Sequence, residues 1–341
     1  MSQRSEPPVH PSTAERFTIL AADRARPLAA FDARAAEVGA RVIYAGAERP
    51  EEIEPLVEDA DAVIVFRTPV TAGAIARMRR CKIILRQGIG VDLVDVPAAT
   101  RAGVFVSNVP DYCVEEVSDH AIALMLALVR NLWDYHRAMT EKGWGFYNLG
   151  RKVPPLDELT LGIVGLGKIG RAVARKARPF GLRLIGYDPY VHDDIFALAG
   201  VERLRHLEAL LRGADLVTVH APLTPETAGM FGAAQFAAMK PGAYFINTAR
   251  GRIVDLAALG EALSRGPLAG AGLDVFEEEP LPATHPILGL PNLIATPHVA
   301  FYSERSIERV VSEAIEEVLR ALRGERPLNL VNPDVYAFRA R

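Results

Sequence analysis

Short apolar runs alternate with segments of helical periodicity along almost all of this 341-residue chain, and that alternation is its strongest structural constraint. A strand followed each time by a helix joins a parallel sheet, because the helix carries the chain back across one face. Strands of such a sheet are covered on both sides and read as continuous apolar runs. Residues 17–21, 41–44, 62–66, 82–85 and 104–107 fit that description, with helical patterning over 27–38, 53–56 and 72–79. This block predicts a five-stranded, flavodoxin-like unit. A long helix is expected over 114–139, opened by Glu115 and Glu116 where the helix dipole favours acid. Its stretch 121–128 is apolar nearly all round, as for a segment buried at a domain or subunit contact. Residues 143–156, rich in Gly, Pro and aromatics, read as a connecting loop. The alternation then restarts, with strands over 160–164, 183–187, 216–220, 243–247, 270–275 and 293–295. Helical patterns over 168–179, 204–211, 233–239 and 255–264 separate most of them, and a last amphipathic helix is expected over 303–323.

At roughly 150 residues per domain this length suggests two domains, each large enough for a full core. The formal net charge of -3 gives no global reason to expect nucleic acid or an acidic membrane as partner. Cys81 and Cys113 are the two cysteines, too few for a disulfide framework or a four-ligand zinc site, and no metal is expected. They point to a reducing, cytoplasmic setting. No apolar run approaches the ~20 residues of a membrane span. Residues 1–16 are polar and Pro/Ser-bearing, and are expected to form a loose tail rather than a signal peptide. A soluble α/β enzyme is the expectation.

The expected strand 160–164 runs directly into Gly165-Leu166-Gly167-Lys168-Ile169-Gly170. Alone, G-x-G-x-x-G is a weak signal, but here it sits between a strand and a helix. There Gly165 permits a tight turn, Gly167 leaves room for a pyrophosphate, and Gly170 lets helix and strand approach. The amides opening the helix then face the phosphates. Asp188 ends the next strand, where a carboxylate accepts from both ribose hydroxyls and repels a 2′-phosphate. NAD is therefore the expected cofactor, although a carboxylate before Pro189 also suits a plain turn.

Ligands of a doubly wound sheet lie beyond the carboxyl ends of its strands. Three later strands end there at Asn247-Thr248-Ala249-Arg250-Gly251, at Asp274 to Pro280, and at Thr296-Pro297-His298. Hydride transfer to a carbonyl needs a proton donor for the developing alkoxide, and a histidine oriented by a carboxylate suits it. Arginine offers a planar fork to a substrate carboxylate. A lone His after Pro, or a lone Arg-Gly, is more simply a surface or turn residue. Their convergence on one sheet edge is what points to chemistry.

At these residues the chain resembles the D-isomer-specific 2-hydroxyacid dehydrogenases, from about residue 40 to residue 331. The resemblance also takes in Arg86-Gln87-Gly88-Ile89-Gly90-Val91-Asp92 and His220-Ala221-Pro222-Leu223-Thr224. It implies that Arg250 holds the substrate, His298 is the acid/base and Glu279 its partner. It further implies that Asp274 contacts the nicotinamide side of NAD. The loop from Ala221 through Pro222 to Thr227, with His220, Thr248 and Ala249, would line the rest of the cofactor site. The substrate carboxylate would meet the amides of Gly88, Ile89 and Gly90, with Arg86 and Phe301 also facing the substrate. The implied architecture is two doubly wound parallel-sheet domains. A Rossmann NAD domain over 112–299 is inserted into a discontinuous flavodoxin-like substrate domain over 17–111 and 300–335, with the active site in the cleft and a homodimer formed through the helix after Val114.

Within the family, 111–116 and 298–303 look most like the branch of the C-terminal binding proteins and their bacterial relatives. Phe301 stands where animal members of that branch carry Trp, and Val117 where they carry Thr. Formate dehydrogenase-like members have Gln in place of Glu beside the His, so Glu279 argues for a proton-coupled carbonyl/alcohol reaction. The reading is an NAD-dependent oxidoreductase interconverting a 2-oxo acid and its (R)-2-hydroxy acid. The alternative is an NAD(H)-sensing dimeric binding protein related to transcriptional corepressors, which the short C-terminal stretch is expected to disfavour. His120 and His206 are taken as structural, and Cys113 as a buried apolar residue.

Overall fold

The computed structural model describes residues 16–24, 26–144 and 153–339. The expected tail over 1–16, apart from Arg16, and most of the expected loop over 143–156 lie outside the described residues. The chain divides into two compact units, one running to Tyr112 and resuming at Ile307, the other spanning Cys113–Ser306.

In the first unit, β1 (Phe17–Ala21), β2 (Ala40–Tyr44), β3 (Ala62–Val65), β4 (Ile83–Arg86) and β5 (Phe105–Asn108) pair in the order β2-β1-β3-β4-β5. All are parallel. β4 and β5 each sit one residue later than their apolar runs suggest, which places Arg86 at the carboxyl end of β4. The helix Val96–Arg101 was not anticipated, yet its start is encoded: Asp95 accepts from Ala98 N, and Pro follows in the first turn. The long helix Glu304–Leu322 brings buried Glu317 to this sheet. Its carboxylate accepts from Ser107 Oγ at 2.6 Å and from the amides of Leu328 and Asn329, tying the returning chain to β5.

The second unit holds β6 (Thr160–Val164), β7 (Arg183–Tyr187), β8 (Glu202–Arg203), β9 (Leu216–Val219), β10 (Tyr244–Asn247), β11 (Gly270–Leu273) and β12 (Leu293–Ala295). They form one parallel sheet in the order β12-β11-β10-β9-β6-β7-β8. Seven strands replace the six expected, because the two-residue edge strand β8 is too short to show a periodicity. Alternate residues serve opposite faces: Leu161, Ile163 and Ile246 join one apolar cluster, and Val164, Val217 and Phe245 the other. The order reverses between β6 and β9, so the ligand crevice of such a sheet opens at their carboxyl ends.

The helix expected over 114–139 is two helices, Val114–Val129 and Leu132–Lys142. Asn131 turns the chain between them at a φ of 51°, a left-handed conformation that Asn tolerates. The apolar face of Val114–Val129 is buried within its own unit, against the helix Lys168–Ala177 and strands β10 and β11. That packing accounts for the buried face of the apolar run, while Ala123 is exposed and Leu126 and Ala127 are half-buried.

Candidate active site

β6 delivers the glycine turn to the crevice. Gly165 has a φ of 89°, and a Cβ there would lie 2.6 Å from Ala221 N and 2.7 Å from His220 C. A Cβ on Gly170 would lie 2.1 Å from Gly165 O. At Gly167 a Cβ would meet nothing within 4 Å. Two glycines are thus required by packing, while the third leaves the approach to the helix N-terminus open, which is the cradle a pyrophosphate needs. The residues present fit NAD.

Asp188 stands at the end of β7, its Oδ2 accepting from Leu166 N at 2.9 Å and its Oδ1 from the amides of Tyr190 and Val191. Those three amides fix the carboxylate at the carboxyl end of β7. Leu166 itself is a core residue and serves this site through its amide. Ile169 is half-buried and Lys168 exposed. Across the crevice, buried Ala221 packs on the glycine turn. Thr227 donates to Pro222 O and accepts from Thr224 N, so its hydroxyl closes the 222–227 loop on itself. The Tyr190 hydroxyl donates to Glu226 and joins that loop to the segment after Asp188.

His220 is half-buried, but its Nδ1 is sealed from solvent and lacks a partner, as does Thr248 Oγ1. Burial pushes the His220 pKa down to about 3, so the ring is neutral near pH 7. Its Nε2 lies 2.9 Å from Thr218 Oγ1.

The second half of the site comes from three separate strand exits. Fully buried Asn247 ends β10, its Oδ1 accepting from Ala249 N and its Nδ2 donating to Arg250 O, which fixes the loop that presents Arg250. At Gly251 a Cβ would lie 1.8 Å from Phe276 C, so this glycine lets the Arg250 loop press on the loop leaving β11. That second loop carries Glu279, whose Oε1 accepts from Phe276 N at 2.9 Å. Its Oε2 lies 2.6 Å from His298 Nδ1. Burial would raise the Glu279 pKa, but the bond and charge of His298, the Phe276 amide and the Arg250 charge outweigh it and hold it below the ordinary glutamate value. The Phe301 ring stands edge-on to the His298 ring at 6.3 Å.

His298 has a φ of 53°, a left-handed conformation that costs a non-glycine residue of order 1–3 kcal/mol and has to be held by its surroundings. Asp274, fully buried, does the holding. Its carbonyl accepts from His298 N, its Oδ1 from Thr296 Oγ1 and Val299 N, and its Oδ2 from Ala300 N. These bonds leave the Asp274 carboxylate buried beneath the 296–300 loop. His120, expected to be merely structural, places Nε2 at 3.0 Å from Thr296 Oγ1. Nothing in the local sequence singles it out, since the contact spans 176 positions.

The remaining candidates belong to the first unit, at the end of β4. Arg86 is buried and folds over Gly88, where a Cβ would lie 1.5 Å from its Nη1. Asn108 Nδ2 donates to Ile89 O at 2.6 Å and Val109 N to Gly88 O, which anchors the turn through Gly90.

Comparison with known proteins bears on this arrangement. Residues 122–300 match the family described as "D-isomer specific 2-hydroxyacid dehydrogenase, NAD binding domain". The chain is 39% identical over 297 residues to a D-3-phosphoglycerate dehydrogenase of Methanocaldococcus jannaschii, covering 87% of this chain and 56% of that protein. It is also 39% identical to a glyoxylate reductase of Korarchaeum cryptofilum, covering 83% of this chain and 86% of the other. Among solved structures, D-lactate dehydrogenase from Aquifex aeolicus, complexed with NAD and lactic acid, superposes with a TM-score of 0.81 at 28% identity, covering 90% of this chain and 96% of that one. The chain thus spans about half the length of the phosphoglycerate dehydrogenase and most of the other two.

Proposed function

Since the chain belongs to the D-isomer-specific 2-hydroxyacid dehydrogenase family, with an NAD-binding domain over residues 122–300, we propose that it reduces a 2-oxo acid to its (R)-2-hydroxy acid and catalyses the reverse. The observation that carries this reading is the 2.6 Å pair between His298 Nδ1 and Glu279 Oε2, beside the charge of Arg250. An ionised Glu279 accepts from Nδ1–H, so Nε2 is the atom left to face substrate. The imidazolium donates its Nε2 proton to the alkoxide forming on the carbonyl oxygen; in the other direction neutral Nε2 takes the proton of the hydroxyl. The cofactor, held by the Gly165–Gly170 turn and Asp188, would supply the hydride as NADH or accept it as NAD+. Arg250 offers its guanidinium to the carboxylate and carbonyl of the substrate, an electrostatic aid that grows as charge develops. Phe301 borders the proton-transfer site with an apolar wall. Arg86 and the amides of Gly88–Gly90 are proposed as further carboxylate contacts. Exposed Leu132, Trp133 and Met139 on one short helix support the proposed homodimer.

None of the three relatives above is a corepressor, and no feature of the site favours the NAD(H)-sensing alternative or the branch of the C-terminal binding proteins. The test is His298→Ala, which removes the proton donor while leaving the cofactor half intact. NADH oxidation by a 2-oxo acid should fall about 10²- to 10⁴-fold, with NADH binding retained. A variant turning over at the wild-type rate would refute the assignment.

A further inference from the structure

The helix Val114–Val129 sends one row of side chains along β11 and its exit, at spacings of four. Leu128 meets Gly270 and Leu124 meets Gly272, where a Cβ would lie 3.2 Å from the first side chain and 3.1 Å from the second. One turn further towards the N-terminus the row becomes polar. His120 Nε2 lies 3.0 Å from Thr296 Oγ1, and Glu116 Oε1 accepts from Ser303 Oγ at 2.8 Å. The segment between Thr296 and Ser303 carries His298 and Phe301, so one helix face grips both its ends.

The hydrogen positions at Thr296 follow from counting. Its hydroxyl has one proton, and Asp274 Oδ1 at 2.6 Å, a buried carboxylate that can only accept, takes it. Toward His120 the hydroxyl oxygen is therefore an acceptor, and His120 Nε2 carries the hydrogen. The bonds then run in one direction, from His120 to Thr296 to Asp274, and Asp274 in turn fixes the amides of Val299 and Ala300 and the backbone of His298.

We propose that His120 is a positioning residue for the acid/base. By donating to Thr296 it keeps that hydroxyl turned on Asp274, and so holds the left-handed backbone on which His298 reaches Glu279. It touches neither substrate nor cofactor in this role. The inference rests on the dehydrogenase reading for its kinetic consequence, but its structural part stands apart from it. A neutral donor of similar reach should serve as well as an imidazole while Leu should not, whereas for a purely space-filling role Leu would serve too.

The test compares His120→Leu, His120→Gln, Thr296→Val and the His120→Leu/Thr296→Val double variant in the full chain. His120→Leu should lower kcat about 10-fold or more, as misplaced catalytic groups do, with the KM for NADH within about twofold. Gln should restore most of the rate. The double variant should be no slower than the slower single one, since both break the same chain of bonds. Amide hydrogen exchange at Val299 and Ala300 should quicken in His120→Leu and recover in His120→Gln. Unchanged exchange in a folded His120→Leu protein would overturn the proposal, as would Gln failing to rescue. Should the wild type turn over no 2-oxo acid, the dehydrogenase reading fails, while the exchange rates still decide whether His120 holds the loop.

Discussion

The two halves of the seven-stranded sheet build their parts of the site by different means. On the β6–β7 side the cofactor cradle is local. Gly165, Gly167 and Gly170 lie within six consecutive positions, and Asp188 closes on the same turn through Leu166 N. On the β10–β12 side, Arg250, Glu279 and His298 leave three strands and are brought together by contacts remote in sequence. Those contacts are Gly251 against the Phe276 backbone, the carboxylate of Glu279 against His298, and Asp274 against the 296–300 loop. Backbone conformation sets the first half and buried polar bonds set the second. Damage should therefore show as lost cofactor affinity on one side and as lost turnover on the other.

Gly251→Ala should separate the halves most sharply. A methyl group 1.8 Å from a backbone carbon has to push the Arg250 and Glu279 loops apart. Turnover should fall about 100-fold, as for a displaced catalytic group. The thermal midpoint should drop as expected for overpacking of about 1–3 kcal/mol, with NADH still bound. Wild-type turnover would mean that the two loops need no fixed spacing. On the cofactor side, Gly165→Ala should destabilise the fold by about 1–3 kcal/mol, because its φ of 89° and the nearby Ala221 backbone forbid a side chain. Gly167→Ala meets no protein atom, so the melting curve should stay put while NADH affinity falls by about tenfold, or about 1.4 kcal/mol. Isothermal titration beside differential scanning calorimetry distinguishes the two glycines, and equal behaviour would contradict their separate roles.

A further effect concerns pH. His220 has its pKa depressed from 6.5 to about 3 in the fold. Below 6.5 the unfolded chain gains a proton that the folded one refuses, so stability falls as pH drops from 6.5 towards 3. His220→Asn removes that linkage, and its acid-unfolding midpoint, followed by circular dichroism, should move to lower pH. A midpoint moving upward would show that the histidine is not held neutral.

The same contrast explains what could be read from the sequence. The β6 turn and Asp188 are legible because each is a short motif with its own conformational reason. Arg250, Glu279 and His298 were legible as strand-end residues, and their pairing was supplied by family resemblance rather than by spacing. Asp274 was visible as a residue, but its service to the His298 loop was not, because that depends on a left-handed backbone no local pattern announces. The bond from His120 to Thr296 is not legible because it spans 176 positions, nor is the turn at Asn131, where a single left-handed residue interrupts an otherwise helical pattern. β8 escaped for want of length.

The central claim is that the β10–β12 exits perform proton-coupled hydride exchange on a 2-oxo acid. It is tested most directly by mixing the wild-type protein and NADH with glyoxylate, hydroxypyruvate, pyruvate and branched or aromatic 2-oxo acids, following absorbance at 340 nm and resolving any chiral product by chiral chromatography. At least one substrate should be reduced, and chiral products should be the (R)-2-hydroxy acid. No turnover across the panel with NADH or NADPH, or formation of the (S) enantiomer, would contradict the account.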